Sequence, residues 1–219
     1  MDAIVISLAN PKGGTGKTTI AIHVAVAAQR EGYRSTLVDT DPQGSVQDWY
    51  RLATSKGYED LHVTRATTPA TLQQDVEAAV RDVPTDIVVL DGAARLEGMT
   101  GAVLSVSDLA LIPVQPSGLD LWGTLEAAEL VESHVQQGLI AAYVASRRDV
   151  RTSLSQEVLD VLRSTDASGE GTLDVLEGTT HRVAYARSLS QGQTVFDTTD
   201  TTAKNEITTL MADIARLLS

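Results

Sequence analysis

Ten residues near the start of the chain, NPKGGTGKTT (10–19), gather three glycines, two lysines and three threonines. Gly13, Gly14 and Gly16 let the backbone turn its N–H groups inward around an anion. Lys17 places a cation at the same point, and Thr18 adds a hydroxyl able to ligate a divalent ion. This is the chemistry of holding phosphoryl groups. The end of the stretch fits the common phosphate loop G-x-x-x-x-G-K-[ST], but Pro11 stands where the leading glycine belongs. Lys12 is then a second lysine that phosphate holding does not require. A glycine-rich turn without ligand is the competing reading, and the position of the loop between an apolar run and a helical pattern argues against it.

Two further stretches carry carboxylates. VDTDPQ (38–43) places Asp39 and Asp41 two residues apart, on one side of an extended chain, so both can face the phosphates. One of them can orient an attacking water, because phosphoryl transfer needs a positioned nucleophile. The local alternative is an Asp-Pro turn in which aspartate caps its own backbone. IVVLDGA (87–93) reads as an apolar strand ending in Asp91, a candidate for the Mg²⁺ side of such a site.

The elements that must position these residues alternate along the chain. Strands are expected at 3–9, 35–41, 61–66, 86–93, 108–114, 139–146 and 172–178. Helices are expected at 17–32, 45–57, 69–83, about 119–137 and 152–164, with a last one in the tail. There Ile207, Leu210, Met211, Ile214, Leu217 and Leu218 share one face. Residues 164–172 read as a surface loop, and DTTDTT (197–202) as a turn before the last helix. The fold class implied is α/β: a single-domain P-loop NTPase with a mostly parallel, twisted sheet flanked by helices on both faces. All three motifs follow strands and so converge beyond the carboxyl ends of the sheet.

Composition narrows the function. The 219 residues suit one α/β domain. With no cysteine there is no disulfide, thiol chemistry or iron–sulfur cluster. No stretch approaches the roughly 20 apolar residues of a membrane span. Net charge is −12, and Lys12, Lys17, Lys56 and Lys204 are the only lysines. So acidic a chain repels nucleic acid and anionic membrane unless a local basic patch intervenes.

KGGTGKTT, VDTDPQ and IVVLDGA, in this order and at these intervals, resemble the ParA/MinD ATPases, which carry a deviant Walker loop. The likeness continues through LALIPVQPSGLD (109–120) and HRVAYARSLSQGQTVFDTTDTTAKNEI (181–207), and most resembles the small ParF-like plasmid partition ATPases. It implies a DNA partition (segregation) ATPase with slow basal turnover, using ATP/ADP and Mg²⁺. Two subunits of such proteins sandwich two ATP molecules, and the lysine at the position of Lys12 reaches the partner's nucleotide. A cation supplied in trans does there what an arginine finger does elsewhere.

Carried over residue by residue, Lys12, Lys17 and Asp41 are catalytic. Gly13, Gly14, Thr15, Gly16, Lys17, Thr18 and Thr19 bind the phosphates. Thr18, Asp39 and Asp91 form the Mg²⁺ side. Pro113 falls near the adenine and dimer face, and Arg147 falls where the family contacts the base. The chain departs from the resemblance at DGAA (91–94), where many relatives have Asp-x-Pro-Pro. The first strand begins near residue 3, so a single domain over 1–219 without an N-terminal DNA-binding extension is expected.

The partners implied are a second copy in an ATP-dependent homodimer, with higher assemblies open, a small centromere-binding adaptor, and non-specific DNA. The location implied is cytoplasmic, nucleoid-associated when ATP is bound. Arg182, Arg187 and Lys204, with His181, form the candidate DNA patch. Arg147, Arg148 and Arg151 are the densest basic cluster, serving adenine, DNA or neither. A ParA-like positioner of a protein cargo, such as a microcompartment or chemoreceptor array, is the alternative. A MinD-like membrane ATPase fits less well. Its tail would need a basic amphipathic helix with aromatics, whereas here Lys204 and Arg216 face Glu206 and Asp213.

Overall fold

Seven short apolar runs pair side by side, every pair parallel, in the order β3-β2-β4-β1-β5-β6-β7. They are β1 (Ile4–Leu8), β2 (Ser35–Asp39), β3 (His62–Arg65), β4 (Ile87–Asp91), β5 (Leu109–Val114), β6 (Ile140–Ala145) and β7 (Asp174–Leu176). The computed structural model describes residues 3–94, 98–116, 131–164 and 173–219. Its helices are α1 (Lys17–Arg30), α2 (Ser45–Ala53), α3 (Leu72–Asp82), α4 (Met99–Ser105), α5 (Ser153–Ser164), α6 (Val183–Ser190) and α7 (Thr201–Leu217). Residues 131–135 are helical as well. Residues 119–130 of the helix expected at about 119–137, and residues 165–172 of the loop expected at 164–172, lie outside the described residues.

The strands read as nearly continuous apolar runs because both faces of a parallel sheet are covered. Ile6, Leu8, Leu37, Val89, Leu111 and Val144 point to one face and pack with α1, α2 and α7. Val5, Val38, Val88 and Leu90 point to the other, against α3 and α4. Ala110, Ile112, Ala141 and Tyr143 extend that second face beneath α5. The tail behaves as its spacing implies: Ile207, Leu210, Met211 and Ile214 of α7 are buried in the first core. Truncating one such leucine to alanine costs about 2–5 kcal/mol.

Helices α4 and α6 were not anticipated. With 7 and 8 residues each, they are too short to show a helical period, and Gly101 within α4 lowers its helix propensity. Strand order reverses about β1: the chain runs outward from it to β2 and β3, returns through β4, then crosses to β5. Ligands bind in open α/β sheets beyond the carboxyl ends of the strands at such a reversal. The loop after β1 starts there.

Candidate active site

The loop between β1 and α1 is built around its side-chain and glycine geometry. Asn10 braces its start, donating from Nδ2 to the Pro113 carbonyl at 2.9 Å and accepting from the Lys12 N–H at 2.8 Å. Gly16 sits immediately before α1 with φ 93, in the left-handed region. A Cβ there would come closer than 3.0 Å to Ser146 Oγ at the end of β6. Glycine is therefore required twice, by backbone sign and by space. Lys17 is buried, and its Nζ donates to the Lys12 carbonyl at 2.8 Å. Burial lowers its pKa, while Asp91 and Asp41 nearby act to raise it. An ammonium so placed has two further donors free for phosphate oxygens.

Asp39 and Asp91 end β2 and β4 and stand directly opposite each other in the sheet register. Both are buried beneath the loop. Thr18 Oγ1 donates to Asp91 Oδ2 at 2.7 Å. Asp39 Oδ1 accepts from the Asp41 N–H at 3.0 Å. Their other oxygens, Asp39 Oδ2 and Asp91 Oδ1, have no hydrogen-bond partner. Burial, reinforced by Asp39 and Asp41, pushes Asp91 up to about 7. Burial raises Asp39 as well. Orphaned carboxylate oxygens in apolar surroundings are costly, and a hydrated divalent cation held by Thr18, Asp39 and Asp91 would offset that cost. Among the described residues no cluster of three or more His, Asp or Glu can hold a metal unaided. The residues thus fit Mg²⁺ brought with phosphate oxygens, its usual mode of binding.

A cleft of about 570 Å³ opens over this floor, within the range of small-molecule sites. Gly13, Gly14, Gly16, Lys17, Thr18 and Thr19 line one end, with Asp41, Ser45, Gly92 and Ala94. Arg147 and the segment from Thr179 to Ala186, at the carboxyl ends of β6 and β7 and the start of α6, line the other. Gly92 permits the close approach of β4 to β1, since a Cβ there would meet the Leu8 carbonyl oxygen.

The CobQ/CobB/MinD/ParA nucleotide binding domain matches residues 6–195, from β1 through the far wall of this cleft. The chain belongs to that family. Among relatives of this ParA/MinD-type ATPase is the maintenance of carboxysome distribution protein A of Halothiobacillus neapolitanus. It is 29% identical over 199 residues, 89% of this chain and 87% of the relative. The chromosome-partitioning ATPase Soj of Thermus thermophilus is 31% identical over 189 residues, 73% and 75% of the two chains. The fold is shared with apo McdA of Cyanothece, at a TM-score of 0.77 and 13% identity over 99% of this chain and all of that one. It is also shared with MinD of Pyrococcus horikoshii in complex with Mg-ADP, at 0.72 and 17% identity over 99% and 98%.

Within this ATPase, the sequence-derived residues fall as follows. Gly13 to Thr19, Asp39, Asp41 and Asp91 converge on one site, with Thr15 buried behind the loop. Asp41 lines the cleft, whereas Asp39 is fully buried. The Asp-Pro turn is also real: Asp41 Oδ1 accepts from the Gln43 N–H at 2.9 Å. Lys12 is not among the cleft-lining residues, and neither is Pro113, which lies buried inside β5. Arg147 is exposed at the cleft wall in a left-handed conformation, φ 53.

Three arginines of the two basic clusters are ion-paired. Arg148 pairs with Glu177 at 2.8 Å and Arg151 with Asp149 at 2.8 Å. Arg182 pairs with Glu206 at 3.1 Å and Asp200 at 3.4 Å, and it lines the cleft instead of an open basic surface. Arg187 is exposed and Lys204 half-buried.

Sequence reading missed Thr40, whose Oγ1 donates to the Asp91 carbonyl at 2.7 Å and accepts from the Ala93 N–H at 2.9 Å. It latches the two carboxylate loops together. A threonine between two aspartates was the available signal. It also missed Thr179 and Thr180, which carry no motif.

Proposed function

We propose that this ParA/MinD-family ATPase binds Mg²⁺·ATP in the cleft, hydrolyses it slowly, and uses an ATP-dependent sandwich dimer to position a cargo. The observation that supports this most is the join of Lys17, Thr18 and Asp91 beneath an open phosphate loop. Lys17 holds the β- and γ-phosphates, and the α1 N-terminus adds its positive end. Thr18, Asp39 and Asp91 are the residues that would hold Mg²⁺, which supplies charge neutralisation for phosphoryl transfer. Asp41, at the cleft surface, orients the attacking water. Lys12 acts on the partner subunit's nucleotide, in keeping with its place outside its own cleft. The nucleoside lies on the Arg147 and Thr179–Ala186 side.

The cargo reading is DNA partition, with Arg187 and Lys204 as the DNA contacts, since the charge of Arg182 is neutralised at home. A small adaptor stimulates turnover. The alternative, positioning of a protein cargo, draws on the relative named for carboxysome distribution, which matches 89% of this chain. A gene for a small basic ribbon-helix-helix protein next to this one favours DNA; a microcompartment operon favours the other. The activity itself is tested by calorimetry with Mg²⁺·ATP followed by phosphate release. Micromolar binding is expected, with most of it lost in Lys17→Ala. No binding of ATP or ADP at micromolar protein refutes the reading.

A further inference from the structure

The far wall of the cleft hangs from the second turn of α7 through one carboxylate. Glu206 accepts four hydrogen bonds from the segment that forms this wall. Thr180 Oγ1 donates to Oε1 at 2.6 Å and Thr180 N–H to Oε2 at 3.2 Å. Arg182 Nε donates to Oε1 at 3.1 Å and Tyr185 Oη to Oε2 at 2.7 Å. Its side chain is 13% exposed. Asp200, which caps α7 by accepting from the Ala203 N–H at 3.0 Å, takes Arg182 Nη1 at 3.4 Å. Tyr185 also stands edge-on to His23 of α1, ring centroids 5.2 Å apart. His23 in turn holds the Thr19 carbonyl through Nδ1 at 2.7 Å and accepts from the Val195 N–H at 3.1 Å.

We infer that Glu206 is a positioning residue that sets the nucleoside-binding wall against the phosphate loop, an inference that rests on the nucleotide reading above. Three facts carry it. First, the tie runs from α7 to the cleft-lining Thr180, Arg182 and Tyr185, while no group of the phosphate loop touches Glu206 among the described contacts. Second, the side-chain donors of Thr180, Arg182 and Tyr185 are engaged by Glu206, so the carboxylate fixes where these three cleft-lining residues stand. Val183 beside them is 77% exposed, an apolar side chain at the cleft. Third, each carboxylate oxygen faces one group that can only donate, Arg182 Nε at Oε1 and the Thr180 N–H at Oε2. A glutamine there must turn its N–H₂ toward one of them, whichever way its amide is oriented, and breaks the set.

The test separates nucleoside from phosphate. Full-length parent, Glu206→Gln and Glu206→Asp are titrated by calorimetry with Mg²⁺ and either a non-hydrolysable ATP analogue or inorganic triphosphate. Glu206→Gln is expected to weaken the ATP analogue about tenfold, the scale of losing charge-assisted bonds, and to leave triphosphate unchanged. Glu206→Asp keeps an acceptor-only group and recovers part of the loss. Thr180→Val cuts the same tie from the wall and gives a smaller loss of the same kind, which covers the case of a Glu206 variant that does not fold. Equal losses for both ligands, or no loss for either, overturn the proposal. A parent that binds triphosphate as tightly as the ATP analogue overturns it too, because the wall then adds nothing, yet leaves the phosphate site standing. A parent that binds neither removes the nucleotide reading itself.

Discussion

Replacing Gly16 by alanine tests the loop geometry directly. At φ 93 a side chain is in the left-handed region, which costs about 1–2 kcal/mol. The new Cβ would come closer than 3.0 Å to Ser146 Oγ, and overpacking of this kind costs about 1–3 kcal/mol. Reduced freedom of the unfolded chain returns about 0.4–1 kcal/mol. The net is a loss of roughly 2–4 kcal/mol, which at this chain length lowers Tm by roughly 5–15 °C. The two causes separate in a double-mutant cycle, because Ser146→Ala removes the colliding oxygen and leaves only its Cβ, 3.6 Å from the added atom. In the Gly16→Ala background Ser146→Ala should recover about 1–3 kcal/mol and leave the strain, a coupling well beyond additive error. Thermal unfolding of the parent, the two single variants and the double variant measures it. Calorimetry should show nucleotide binding lost in both Gly16→Ala proteins, since the loop N–H groups are re-aimed. A Gly16→Ala protein as stable as the parent, or strict additivity with Ser146→Ala, refutes the reasoning.

Lys12→Ala should keep most nucleotide binding and lose ATP-dependent dimerisation; light scattering with a non-hydrolysable analogue reads this, and normal dimers would end the trans-lysine argument. Asp41→Ala should bind ATP but accumulate a long-lived dimer with turnover down about 100-fold or more, the scale of a lost proton-transfer or water-orienting group; unchanged phosphate release would move that role elsewhere. Burial pushes the Asp91 carboxyl up to about 7 from 3.8, so that it is only partly ionised near neutrality, and Mg²⁺ needs it ionised. Binding of Mg²⁺·ADP should therefore strengthen as pH rises through about 7 and release up to one proton below it, as calorimetry in two buffers of different ionisation heat will show. Without ligand the same shift has the opposite sense for folding: its stabilising contribution is full below about pH 4 and is lost as pH rises through about 7. Binding of duplex DNA should need the ATP analogue and fall with salt along a shallow log–log slope of a few released counterions; Arg187→Glu should weaken it with ATPase activity near the parent's, and no binding at low salt would favour a protein cargo.

The phosphate loop, Asp39, Asp41, Asp91 and the alternation of strands and helices were legible in the sequence. Each is a local pattern: glycines and a lysine at set intervals, or apolar runs long enough to show a period. The buried face of α7 was legible for the same reason. The short α4 and α6 were not, because they span too few turns for a period to emerge. The sequence could place Asp39 and Asp41 on one side of a strand, but only the packed sheet sealed Asp39 against Asp91 and left Asp41 at the cleft. Nor could it pair Arg182 with Glu206, 24 residues on, or Arg148 with Glu177. An arginine reads as free charge until the fold brings a carboxylate to it, and the fold did so at Arg148, Arg151 and Arg182. The chemistry of the phosphate end was local. The far wall, its tie to α7 and the neutralisation of its charge came from contacts across the fold, which no spacing along the chain encodes.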